Sequence, residues 1–283
     1  MKTIVVGVDR TGAARNALRW AGSMSRATGS RVVVVHEEVP QQAELDPETA
    51  DAEVAAAEGW LGEWTSEADI DALDEVELAS GDDLADTIVG AAREHEADLL
   101  VLGTHLGDGT GQAGFGTIAH EAVHHFRGPT MGVPAGAPIG SNPTIVVGLD
   151  GHPGSTLALE WAARFANDVG GTIVGVHVPA TIAGSYAGSI NDLSTYESKG
   201  EVEAQLAEVA VPGTDVKVVG GDPIEELDHF ASQHEVSLIV VGSRSHGVLQ
   251  KQVIGKVPTH LLHHASRPVV VVPYFAKDEI DRS

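Results

Sequence analysis

Along the chain, short runs of Val, Ile and Leu alternate with longer stretches in which apolar residues return at helical spacing. The runs are nearly continuous, as strands of a parallel sheet covered on both faces must be. Strands are predicted at 2–8, 31–36, 74–79, 98–102 and 129–133, and again at 143–149, 172–178, 214–219, 236–241 and 268–272. After the first strand of each set comes a helical stripe at i, i+3, i+4, i+7. It is Ala17, Trp20, Ala21 and Met24 in one set and Ala158, Trp161, Ala162 and Phe165 in the other. Each stripe occupies one helix face suited to packing on the sheet, with its tryptophan as a core anchor. Asp222-Pro223-Ile224-Glu225 reads as a helix start, with Asp as N-cap and Pro at the first helical position. The acidic 37–74 region, which holds Trp60 and Trp64, reads as a solvated helix with one apolar stripe.

The two sets are copies. Thr3–Asp9 (TIVVGVD) returns as Thr144–Asp150 (TIVVGLD), 141 residues later, and His36 at the end of the second strand returns at the same offset as His177. Asp98–His105 answers Ser237–Arg244, and Gly128–Pro134 answers Arg267–Pro273, both at an offset of 139. Four blocks in one order, with the offset drifting by two, establish an internal duplication. The Pro-, Gly- and Ser-rich stretch Pro134–Pro143 has linker composition, so two domains are expected at 1–140 and 141–283.

Composition narrows the partners. The 283 residues carry 41 acidic and 17 basic side chains, a formal net charge of −24. Such a surface repels nucleic acid and anionic membranes, so neither is expected as a partner. Lys is scarcer than Arg, and the carboxylates are spread along the chain, a pattern expected of a salt-rich habitat, where crowded charge is screened. There is no Cys, which excludes disulfides and thiolate metal ligands. No apolar run approaches membrane-spanning length, and the chain opens straight into strand-like residues after Lys2. A soluble, cytoplasmic protein is expected.

In an open parallel sheet, ligands bind beyond the carboxyl ends of the strands. Three parts of each repeat converge there. Asp9 and Asp150, ending the first strands, can accept from an adenine amino group or a ribose hydroxyl. Val35 and Val176, near the ends of the second strands, offer an apolar wall for a base. The loops Gly103–Thr117 and Gly242–Lys256 lead into helices whose first amides can hold phosphate.

At these residues the chain resembles the universal stress protein family, in which the fourth strand is followed by Gly, two residues, Gly, nine residues, Gly and Ser/Thr. The second half has Gly242, Ser243, Arg244 and Ser245, then nine residues, Gly255 and Lys256; the first has Gly103 to Leu106, nine residues, Gly116 and Thr117. The resemblance spans nearly the whole chain and continues into His263–Val272 (HHASRPVVVV). It implies two tandem Rossmann-like domains of the adenine-nucleotide-hydrolase type. Each would be a five-stranded parallel sheet of order 3-2-1-4-5 covered by helices, pairing through the last strands. It further implies ATP binding in one subgroup of the family and not in another. The middle glycine of the motif is Leu106 in one copy and Ser245 in the other, and the terminal hydroxyl is kept as Thr117 but replaced by Lys256. Residues 103–117 contain no Lys or Arg and include Asp108, whereas 242–256 offer Arg244, Lys251 and Lys256. A triphosphate on so acidic a protein needs local cations. Nucleotide binding is therefore expected in the second domain, ATP with Mg²⁺, through Asp150, Val176, Gly242, Ser243, Arg244, Ser245, Gly255 and Lys256. A weaker set is expected in the first: Asp9, Val35, Gly103, Gly116 and Thr117.

Other motifs lack context. His120-Glu121-Ala122-Val123-His124 has the zinc-protease spacing, but the matching positions Thr259, His260 and His263 break it, and no metal site is expected. Gly255-Lys256 is no P-loop, since position 250 is Gln and position 257 is Val. Ser155 and Ser185 sit in no nucleophile-elbow motif, and Ala183–Ser189 reads as a loop over the ligand edge. With no residue standing out as base or nucleophile, a nucleotide-sensing regulatory module is expected, its two domains paired and a further homodimer open. The alternatives are a slow ATPase or self-phosphorylating enzyme using Ser243 or Ser245, and a structural protein that binds no nucleotide.

Overall fold

The computed structural model describes residues 1–37, 47–70, 73–79, 84–104, 115–139, 142–178, 214–243 and 254–274. In the first domain β1 (Thr3–Val8), α1 (Gly12–Thr28), β2 (Arg31–Glu37), α2 (Pro47–Glu67), β3 (Leu73–Ala79), α3 (Leu84–Glu94), β4 (Leu99–Thr104), α4 (Phe115–His125) and β5 (Thr130–Pro134) follow in order. The second continues with β6 (Thr144–Leu149), α5 (Pro153–Val169), β7 (Thr172–His177), β8 (Asp215–Val218), α6 (Pro223–Gln233), β9 (Leu238–Gly242), α7 (Lys256–His264) and β10 (Val269–Val272). All ten strands lie within two residues of their expected bounds. The Ala183–Ser189 loop lies outside the described residues.

The strands form one sheet of order β3-β2-β1-β4-β5-β10-β9-β6-β7-β8. Every pairing within a domain is parallel, and each domain has the order 3-2-1-4-5. The one antiparallel pair is the seam, where Thr130, Met131 and Gly132 face Val271, Val270 and Val269.

Strand parity sorts the core into layers. Ile4, Val6, Val32 and Val34 of the first domain and Ile145, Val147 and Val240 of the second point to the side of α1, α2 and α5, where one apolar cluster runs unbroken through the seam. Both helical stripes lie in it; Trp20 is 3% exposed and Trp161 packs partly buried against the same cluster. On α2, Ala57, Leu61 and Thr65 form the buried stripe, continued by Ala68 just past the helix, and Gly22 of α1 lets that end close in, since a Cβ there would meet the Ala68 carbonyl oxygen at 2.3 Å. Arg15 pairs with Glu67 between the same two helices, and its hydrogen bond holds the Glu67 carboxyl below the ordinary range. The other side carries two separate clusters, one under α3 and α4 and one under α6 and α7, with Val123 of α4 joining the latter.

Helix ends follow their sequence signals. Thr11 caps α1 through the Ala14 N–H, Gly29 closes it at φ 70°, and Gly170 closes α5 at φ 69°. Asp222 caps α6, accepting from the Ile224 N–H at 2.8 Å, with Pro223 at the first helical position. The linker-like stretch is tied down at its start, where the buried Asn16 amide donates to the carbonyls of Pro134 and Ala137. Among the described residues no helix is long and apolar enough to cross a membrane.

Candidate functional site

Parallel strands that end together leave a crevice between the helices above them. In the second domain this crevice is a cavity of about 860 Å³, walled by the ends of β6, β7 and β9 and the starts of α5, α6 and α7. Val176, Leu227, Val241 and Ile254 give it an apolar lining, and Asp150, His152, His177, Asp222 and Lys256 are among the polar and charged residues of its wall. Six of the eight residues expected in this domain line it: Asp150, Val176, Gly242, Ser243, Gly255 and Lys256. The other two, Arg244 and Ser245, lie outside the described residues, as does Leu106 of the first domain.

The six differ in what holds them. The β6–α5 turn is fastened by its own polar groups. Asp150 Oδ1 accepts from the His152 N–H at 3.1 Å, while the buried Ser155 hydroxyl donates to the His152 carbonyl and accepts from the Asp150 N–H. Gly242 is demanded by packing, because a Cβ there would lie 2.2 Å from the Gly154 carbonyl oxygen. Ser243 is 1% exposed, and its hydroxyl accepts the Tyr274 N–H at 3.0 Å. Gly255 answers to conformation. It stands just outside α7 at φ 90°, and among the described residues no atom lies nearer its missing Cβ than Pro258 Cδ at 3.8 Å. As the cap of α7 it supplies no side-chain acceptor to the first amides of the helix. Lys256 follows as the first helical residue, exposed at the same edge.

The first domain repeats this arrangement at its first, second and fourth strands and departs from it at the helix that follows the fourth. Asp9 Oδ1 accepts from both the N–H and the hydroxyl of Thr11. Val35 is fully buried within its strand, and Gly103 serves packing, since a Cβ there would lie 2.6 Å from Ala14 N. Gly116 and Thr117 fall inside α4, which starts at Phe115, whereas Gly255 precedes α7. The floor is also tighter. A Cβ on Gly7 would meet Leu102 at 2.5 Å and Ile88 at 2.8 Å, where one on Gly148 would meet Val241 at 3.1 Å and Leu227 at 3.2 Å.

Several cavity residues carried no binding signal in the sequence. Ser155, Pro258 and Tyr274 belong to no motif, and Asp222 was legible only as a cap. Its place after the third strand of the repeat puts that cap on the ligand edge. His36 and His177 are fastened rather than free: Nδ1 of each meets the carbonyl at the end of the neighbouring strand, Val8 at 2.9 Å and Leu149 at 2.7 Å.

The sequence model of the Universal stress protein family matches residues 1–134 and again 142–273. A universal stress protein of Mycolicibacterium smegmatis is 30% identical over 138 residues, 45% of this chain and 47% of the relative. One of Mycobacterium tuberculosis is 27% identical over 156 residues, 47% of this chain and 49% of the relative. The aligned part thus spans about half the length of these curated relatives. Among solved structures, a universal stress protein from Archaeoglobus fulgidus superposes with a TM-score of 0.68 at 15% identity, covering 96% of this chain and 98% of that one. A putative universal stress protein from Pseudomonas aeruginosa superposes at 0.63 and 13% identity, covering 96% and 93%. At these identities the likeness shows a shared fold. The chain belongs to the universal stress protein family, as a tandem member with two copies of the domain.

Proposed function

We propose that this protein is a stress-response binding module that takes an adenine nucleotide, ATP with Mg²⁺, in its second domain and acts through the state of that site. The cavity that gathers Asp150, Val176, Gly255 and Lys256 carries the reading. Its size falls within the range of about 300–1,000 Å³ usual for small-molecule sites. Val176, Leu227 and Val241 supply apolar surface for a base, and Asp150 a carboxylate for a ribose hydroxyl or exocyclic amine. Lys256 and the first amides of α7, under a glycine cap, suit phosphate. Binding is favoured over phosphoryl transfer to Ser243, because that hydroxyl is buried and already accepts the Tyr274 N–H. The tighter floor under Leu102 and Ile88 supports the same choice of domain.

Calorimetric titration of Mg-ATP in molar KCl tests it. The intact chain should bind one equivalent, Lys256→Ala should weaken binding by about tenfold, equivalent to roughly 1.4 kcal/mol, and Thr117→Ala should leave it unchanged. Absence of heat at millimolar ATP, or equal loss in both variants, would overturn the proposal.

A further inference from the structure

The two sides of the seam are built from different chemistry. On the α1 and α5 side one apolar core crosses from domain to domain. On the other side, where α4 packs against α7, the meeting point is rich in imidazole. His120 and His124, one turn apart on α4, bring their Nε2 atoms to 3.2 Å, with ring planes at 76°. His263 comes from α7, its ring centre 5.5 Å from that of His120. All three are half-buried, at the rim rather than in the core. Burial, with His124 and His263 beside it, pushes the His120 pKa below its ordinary value, and burial with His264 and His260 does the same for His263. A neutral imidazole keeps a lone pair for a metal.

We propose that this seam binds one divalent first-row transition ion, of the zinc, nickel and copper class, chelated by Nε2 of His120 and Nε2 of His124. Metal–nitrogen bonds of about 2.05 Å ending on atoms 3.2 Å apart subtend roughly 103° at the metal, between square-planar and tetrahedral angles. The i, i+4 spacing sets this bite without any movement of the helix backbone. The ion takes the place of the proton shared between the two Nε2 atoms. That proton moves to Nδ1 of the ring that released it, so both ligands stay neutral. Among the described residues no group of three or more His, Cys, Asp or Glu side chains could hold a metal. The site is thus a two-imidazole chelate with water in the remaining positions, weaker than a closed structural zinc site. The net charge of −24 concentrates divalent cations around it.

The test is calorimetric titration of Zn²⁺, Ni²⁺ and Cu²⁺ into the full chain at pH 7.5 in molar salt, with Mg²⁺ as the hard-cation control. The expected result is one equivalent bound for each transition ion, weakened about tenfold or more by His120→Gln or His124→Gln, with no such site for Mg²⁺. His260 and His264, at the same spacing on α7, hold their rings at 36° with centres 4.3 Å apart, without the near-perpendicular edge contact of the α4 pair; they provide an internal comparison, and His260→Gln should leave the affinity of the α4 site intact. No transition-metal binding at millimolar ion, or loss in His260→Gln with the α4 variants unaffected, would overturn the proposal. Paramagnetic resonance of the Cu²⁺-loaded parent gives a reading independent of any variant. Coupling to two imidazole nitrogens is expected, and an all-oxygen shell would sink the site.

Discussion

Glycines that occupy one motif do separate work in this molecule. Gly242 sits where the end of β9 touches the first turn of α5, and its missing Cβ is displaced by backbone that cannot swing away. Gly255 meets nothing tighter than an ordinary contact among the described residues, and its positive φ is what calls for glycine. Gly242→Ala should therefore cost about 1–3 kcal/mol as overpacking, read as a lower denaturation midpoint. Gly255→Ala should cost about 1 kcal/mol while weakening Mg-ATP binding more than its stability loss accounts for. A sequence cannot separate these roles, because spacing reports only that glycine recurs. What divides them is the distance to a partner chain segment about ninety residues away.

At the scale of elements, α6 shows how a folding signal and a site can coincide. Asp222 begins that helix by accepting the Ile224 N–H, and the same carboxylate belongs to the cavity wall. Asn caps a helix about as well as Asp, whereas Ala costs about 1 kcal/mol. Asp222→Asn should thus keep the melting temperature and tighten Mg-ATP binding at low salt by removing a like charge; Asp222→Ala should lower the melting temperature by a few degrees. Strands and helices were legible because Val runs buried on both faces have few other uses, and because each was written twice. For α2 only a solvated helix with one apolar stripe was legible, with Trp60 and Trp64 in it; that Ala57 and Leu61 form its buried face was not, because no second copy marks them. The meeting of His120 with His263 was not. It depends on β5 and β10 pairing antiparallel, which turns α4 of one copy towards α7 of the other, and no local pattern encodes that approach.

For the whole molecule, charge and continuity dominate. With 41 acidic groups against 17 basic ones, self-repulsion opposes the compact state at low ionic strength and is screened within about 3 Å at 1 M salt. The melting temperature should rise on moving from 0.05 to 2 M KCl, measured by calorimetry, and a flat profile would show that the acidic surface carries no stability cost. The core on the α1 side, shared through Met131 and Val270, joins the domains into one body.

The antiparallel junction of β5 with β10 also has a consequence for how the molecule can change. Were two identical chains to meet through that edge, every substitution would appear on both sides at once, and neither half could drift without the other. Joined in one chain, the halves stay at a fixed one-to-one ratio whatever the protein concentration, yet each keeps its own codons. The divergence is already visible at the corresponding positions Leu102 and Val241, and at Gly116 and Gly255, which stand inside and outside their helices. One half is free to change at such positions while its sister keeps its own residue.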